Sequence, residues 1–410
     1  MKKDSPRRVL LIIIAYGIML IFGLVENIKG VSYPLIKAEF GVSYERQGLL
    51  VSFLSYGYVL FCLVAGVFLS RFGVKRALLS GFVCIFIGLG LVPVMPGFWT
   101  VGAVLFLAYA AFGFFEVGVN ALGTQIFTKK AALLMSLLHF FYGAGAIIGP
   151  KAAGILTGGF GLNWRQIYFL TIPLCALVFV PTLALKFPKQ GDAGAAEGGA
   201  ENASGVVTEE APAEKRISFL GALKMPMVWA FSITLGLMEV VEMSSANWGG
   251  LYFQDVYGLD PRVEGAAFVS NFYILFTLSR LVSGFAIEKI GYMRSLFIAC
   301  FATGIIYALS FILGVQGIWT LPILGFFIAV MWPTIMAVAM GFFGSRSPVI
   351  TSAIIVLSGA INSALQLGIG LTNRYIGPAW GYRSCFVYSL VLIGALAFLH
   401  RHLRKARSIR

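Results

Sequence analysis

Long apolar runs broken by short polar or basic segments set the rhythm of this chain. Runs of about 20 residues, the length of an α-helix that crosses a bilayer, can be placed twelve times: 9–33, 46–70, 76–95, 99–126, 131–157, 165–186, 226–252, 264–287, 294–315, 318–343, 348–373 and 380–400. One stretch breaks the rhythm. From Phe187 to Ser218 the chain is rich in Gly, Ala and Glu, with almost nothing to bury, and reads as a flexible linker. The expectation is an all-α membrane protein of twelve transmembrane helices in two six-helix pseudo-repeats. The bundles occupy 1–186 and 219–410, with the linker at 187–218.

Composition agrees with that reading. Of 410 residues, 59% are hydrophobic and only 12% charged, about half the ~25% usual in soluble domains. The net charge of +14 would suggest nucleic-acid binding in a soluble protein. Here Lys and Arg collect in alternate loops and at the tails, as with Arg71, Lys75, Arg76, Lys129, Lys130, Lys289 and Arg294. The positive-inside rule then places both termini and the linker in the cytoplasm, the chain in the inner (plasma) membrane, and nucleic acid outside its partners. Cys62, Cys84, Cys175, Cys300 and Cys385 all lie inside apolar runs and read as small buried hydrophobes. No metal-spaced His/Cys set, phosphate-binding glycine loop or G-x-S-x-G occurs. No cofactor and no enzyme activity are expected, and the chain is expected to act as a monomer.

The two halves repeat each other. Gly66-Val-Phe-Leu-Ser70-Arg71-Phe-Gly73-Val-Lys75-Arg76 follows the second run, and Gly284-Phe-Ala-Ile-Glu288-Lys289-Ile-Gly291-Tyr-Met-Arg294 the eighth. An offset of 218 superposes Gly66 on Gly284, Gly73 on Gly291 and Arg76 on Arg294. Gly41 and Gly258 close the first and seventh runs at nearly the same offset. Two parallel repeats joined by a linker suit a transporter for a small molecule, bound near the bilayer midplane.

At these loops the chain resembles the major facilitator superfamily, whose signature G-x-x-x-D-R-x-G-R-[RK] joins helices two and three. Gly66, Arg71, Gly73 and Lys75 match, while Ser70 and Val74 depart from it. The second copy supplies a carboxylate, Glu288, so the resemblance implies a loop salt bridge there. A narrower resemblance is to the fucose- and glucose-permease branch of sugar:proton symporters. Glu116-Val-Gly-Val-Asn120 is similar to the E-x-x-x-N of that branch, which implies that Glu116 carries the coupling proton. His139-Phe-Phe-Tyr142 and Trp332-Pro333-Thr334-Ile335 are similar to two further branch motifs, with His139 and Tyr142 standing where the branch has amides.

Ionisable groups within the runs are the candidate chemistry, since each costs roughly 2.5–3.5 kcal/mol at a helix centre. Glu116 lies near substrate depth, where exclusion of water favours its protonated form. Glu26 and Lys29 share a helical face and either pair or, with Asn27, line a cavity. Glu239 and Glu242 would repel if both were ionised, so one is protonated or paired with Lys29 or Lys151. Asn247 and Trp248 suit a sugar, an amide for hydroxyls and a ring for its C–H face, although Trp248 also fits a membrane interface. His139 serves a cavity or a satisfied core, and Asn271 is a further polar candidate in the eighth run. Asn362 and Gln366, four apart, serve as hydroxyl donors or as helix glue. Arg280 reads as structural or gating. The expected function is proton-coupled import of a monosaccharide by alternating access. A proton-driven exporter of lipophilic or cationic compounds is the runner-up, and Na+ in place of H+ and a non-transporting receptor are the remaining alternatives.

Overall fold

The computed structural model describes residues 6–127, 131–188, 219–344 and 347–408, with the side chains of 131–133, 347–348 and 405–408 outside the description. The expected linker therefore lies almost wholly outside the described residues. Every regular element among them is helical. The first set is α1 (Pro6–Asn27), α2 (Lys29–Phe40), α3 (Tyr44–Phe72), α4 (Val74–Leu91), α5 (Phe98–Ile126), α6 (Ala131–Gly158), α7 (Trp164–Leu170) and α8 (Ile172–Ala184). The second set is α9 (Phe219–Leu223), α10 (Pro226–Tyr257), α11 (Ala266–Ile290), α12 (Tyr292–Leu313), α13 (Leu324–Ile328), α14 (Met331–Phe343), α15 (Ser347–Tyr375) and α16 (Pro378–Ser408). Eleven helical stretches among the described residues are long and apolar enough to cross a membrane. The 28-residue α6 occupies the fifth sequence-predicted run.

Proline explains where the observed helices differ from the apolar runs. The first run extends to Phe40, with Pro34 inside α2 and a tightened turn at Ile28, whose carbonyl accepts from both Val31 and Ser32. Proline cannot donate to the carbonyl four residues back, and the carbonyl so released, that of Gly30, faces Gly250 of α10. The sixth run breaks at Thr171, before Pro173, into α7 and α8. The tenth contains Pro322 and divides into a 3-10 stretch at Gly317–Ile323, α13 and α14.

The internal repeat is visible in the backbone. Gly73 and Gly291 part α3 from α4 and α11 from α12 with φ of 82° and 88°, a conformation only glycine adopts without strain. Gly41 and Gly258 end α2 and α10 in the left-handed region. Around the first loop, Lys75 Nζ donates to the carbonyls of Leu183 and Leu185 at 2.7 and 2.8 Å, tying α4 to the end of α8. Ser70 donates to Val67 of its own helix. Arg71 and Glu288 are exposed. The ion pairs of the described residues are Glu26–Lys29, Glu39–Arg165 and Asp260–Arg262. The loop salt bridge expected of Glu288 is therefore absent among them, since the carboxylate stands on an exposed helix end.

The two sets meet from mid-helix to one end. Ser52 donates to the carbonyl of Ser363 at 2.6 Å, and Ser270 to that of Ile147 at 2.9 Å. Tyr44 donates to Asp255 across the same seam. Glycine makes the approach possible. A Cβ on Gly48 would stand 3.0 Å from Gly370 Cα, and one on Gly154 would stand 2.1 Å from the Arg262 carbonyl. Gly145 and Gly149 serve the other face of α6, against Leu20 and Leu24 of α1. Gly154→Val is therefore expected to force this end apart. In a cysteine-free background, spin labels at 46 and 374 should lie farther apart in the variant than in the parent. An unchanged distance distribution would show that the glycine seam does not hold the end closed.

Candidate functional site

In the middle portions of the apolar helical stretches, charges from both sets come together in one polar centre. Glu26, at the end of α1, accepts from Lys29 Nζ at 2.9 Å and from the Tyr142 hydroxyl of α6 at 2.5 Å. The tightened turn at Ile28 lets residues three apart face each other, and Lys29 is buried there at 3% exposure. Its ammonium lies 6.0 Å from the centre of the Tyr109 ring. Glu116 is half-buried on α5, where Asn120 Nδ2 donates to its Oε1 at 2.9 Å and to its backbone carbonyl at 2.8 Å. Spacing of four on a helix sets that bond.

From the second set comes Arg280, within Coulombic reach of Glu116, His139 and Glu242. It is exposed, has no carboxylate within ion-pair distance among the described residues, and packs its guanidinium 4.5 Å from the centre of the Phe276 ring. Glu242, 9% exposed on α10, also feels Glu26 and Lys29. His139 is half-buried. The centre thus holds one closed pair, two further carboxyls and one guanidinium without an ion-pair partner among the described residues. Such an arrangement can take up a proton, rearrange its pairing and bind a polar solute.

The other sequence candidates make most of their bonds outside this centre, although Glu239 is within Coulombic reach of Glu242 and Asn27 within hydrogen-bonding reach of Tyr142. Trp248 is buried and donates to Gln366 Oε1 at 2.7 Å, which excludes the interfacial position, and Gln366 Nε2 reaches Asn362 Oδ1 at 3.4 Å. Trp248, Gln366 and Asn362 thus link α10 to α15 inside the second set, and Asn247 is buried on α10. Glu239 accepts from Ser358 at 3.1 Å, with the Trp332 indole in hydrogen-bonding reach, and makes no ion pair with Lys29 or Lys151. Asn27 is buried and donates to the Gly23 carbonyl of its own helix at 2.9 Å. Asn271 is placed elsewhere altogether. It lies on the exposed stripe of α11 with Ile274, Leu278, Leu281 and Phe285, half a helical revolution from Arg280.

Several tyrosines join the centre without having been singled out by sequence. Tyr273 lies within Coulombic reach of Glu26, Glu242 and Arg280 and within hydrogen-bonding reach of Tyr142. Tyr33 and Tyr109 share a hydrogen bond of 3.2 Å, and Ser32 and Tyr168 one of 2.8 Å, around the Lys29 pair. For Tyr109 and Tyr273 the available signal was position, since both stand near the middle of an apolar run, away from the interfaces where tyrosine is enriched; Tyr33 and Tyr168 stand at run ends and gave no such signal.

The comparisons with known proteins agree with this architecture. The Major Facilitator Superfamily profile matches residues 15–373. A protein of Yersinia pestis described as an MFS-type transporter is 24% identical over 281 residues, 68% of this chain and 66% of its own length. The chain thus spans just under two thirds of that relative. Among solved structures, the fucose:proton symporter FucP of E. coli aligns over 96% of this chain and 99% of its own, at 15% identity and TM-score 0.61. The nucleoside transporter NupG aligns over 97% and 99%, at 14% identity and TM-score 0.71. At such identities the likeness is one of fold.

Proposed function

The chain belongs to the Major Facilitator Superfamily, as a multi-pass membrane transporter, and we propose that it imports a monosaccharide together with a proton by alternating access. The observation that carries this reading is the Glu116–Asn120 pair, a half-buried carboxyl bonded by an amide one turn on and within Coulombic reach of Arg280 of the second set. We place both termini and the linker in the cytoplasm, on the inner membrane, from the distribution of Lys and Arg. On that orientation the closed end, with Tyr44–Asp255 and Gly48–Gly370, faces outward, and the arrangement described is open toward the cytoplasm.

The coupling then follows from electrostatics. With the site open outward, Glu116 takes a proton, which removes a charge that would be costly to carry through a closed, water-poor state. Substrate hydroxyls meet Tyr142, Tyr273 and the other donors of the centre. Once the outer seam closes, the cytoplasmic opening rehydrates Glu116 and lets the proton leave. Arg280 supplies the compensating charge for the carboxylate left behind. A Na+ ion could replace the proton only by gaining oxygen ligands at the same carboxyl.

The runner-up rests on one observation: Glu116, Glu239 and Glu242 outnumber the unpartnered Arg280, a balance that would also suit a cationic substrate of an exporter. A ligand screen by thermal shift on the purified chain separates the two, because a bound ligand raises apparent stability. Hexoses should raise the unfolding temperature and organic cations should not. Stabilisation by lipophilic cations alone would overturn the sugar assignment.

A further inference from the structure

Away from the polar centre, an apolar groove with room for about 500 Å³ opens between α12, α15 and α16. Phe311, Ile312, Ile376, Trp380, Arg383 and Val387 are among the residues that line it. The groove faces the surroundings of the protein: Ile312 is 79% exposed and Val387 53%. In a membrane-spanning chain, that face meets lipid rather than water.

Arg383 is the one charged member of the groove lining. It is the sixth residue of α16, about 8 Å along the axis from the helix start, which sets it near the boundary between headgroups and hydrocarbon. The exposed Trp380 and Tyr375 mark the same level, as interfacial aromatics do. Its Nε reaches the Tyr252 hydroxyl at 3.4 Å, and its guanidinium lies 5.8 Å from the centres of the Phe311 and Trp380 rings. None of the ion pairs among the described residues includes it. A guanidinium without a carboxylate, at the mouth of an apolar groove, complements a ligand with an anionic oxygen group at one end and a hydrocarbon chain at the other.

We propose that this groove binds one anionic phospholipid, with an acyl chain against Phe311, Ile312 and Val387 and the phosphate on Arg383. Arginine suits the task because its planar fork can give two parallel hydrogen bonds to a phosphate. The groove is separate from the transport pathway, so the assignment stands or falls independently of the substrate and the coupling ion.

Native mass spectrometry of the delipidated full chain, titrated with phosphatidylglycerol or phosphatidylcholine, tests the assignment. The parent should retain one phosphatidylglycerol in preference to phosphatidylcholine. Arg383→Gln should lower phosphatidylglycerol retention about tenfold, the effect expected from losing one charge-assisted contact. Val387→Trp, at an exposed position that leaves Arg383 in place, should lower retention of that lipid by filling the groove. Equal retention of the two lipids by the parent, or undiminished phosphatidylglycerol on either variant, would overturn the proposal. Should Arg383→Gln fail to fold, the Val387→Trp result decides alone.

Discussion

Glu116→Gln should reduce uphill, pH-driven uptake to background while substrate exchange between the two sides continues. Glutamine has the shape and the neutrality of the protonated acid, so the alternation of the two helix sets is kept. What is lost is the capacity to release a proton. Asn120 can still donate to the glutamine oxygen, so the hydrogen bond that holds the side chain in place survives the change. Proteoliposomes loaded with substrate give both readouts from one preparation. Uphill accumulation equal to the parent's would remove Glu116 from the coupling, and loss of exchange as well would assign it to substrate binding or folding.

The second large effect concerns the Glu26–Lys29 pair. Removing one member of a buried ion pair leaves an uncompensated charge, at a cost of about 3–5 kcal/mol. Lys29 is the more deeply buried partner, at 3% exposure against 10% for Glu26. Glu26→Gln should therefore destabilise the chain strongly, because the nearest aromatic face, Tyr109 at 6.0 Å, is a poor substitute for a carboxylate. Adding Lys29→Met should recover most of the loss by removing the stranded ammonium. Thermal unfolding of the purified parent, both single variants and the double variant completes the cycle. Additive losses would show that the two charges do not act as a unit.

Much of the fold can be read from the sequence, for a physical reason. A bilayer requires apolar helices of fixed length with their backbone groups bonded internally, so hydropathy alone marks the membrane-crossing stretches. The glycines at 73 and 291 mark equivalent helix ends because no other residue tolerates their backbone conformation. What hydropathy does not mark is the interruption within a stretch. The break near Ile28 goes with the place that the carbonyl released by Pro34 finds beside Gly250, which is a tertiary property.

The site is less legible, because a polar residue in a membrane helix does not announce which face it occupies. Asn271 belongs to the stripe of Ile274, Leu278, Leu281 and Phe285, and the spacing of those large apolar residues was the clue to its outward position. Gln366 reads either as a hydroxyl donor or as helix glue, and the packing engages it with Trp248 inside its own helix set. Arg280 reads as structural or gating from its place two turns before Glu288, and only the folded chain brings it within Coulombic reach of Glu116. Tyr273 went unnoticed because a tyrosine counts as hydrophobic in any window average, while its hydroxyl joins the polar network.

The central claim is that substrate and proton bind together through Glu116, and linkage makes it directly testable. If each favours the other's binding, the effect is reciprocal, and substrate affinity should fall as pH rises and Glu116 loses its proton. The measurement is calorimetric titration of the hexose identified by the ligand screen, from about pH 5 to about pH 9, on the parent and on Glu116→Gln. The account predicts tighter binding at low pH in the parent and a flattened profile in the variant, whereas tighter binding at high pH in the parent would contradict it, since protons would then displace the substrate as in an exporter coupled by competition.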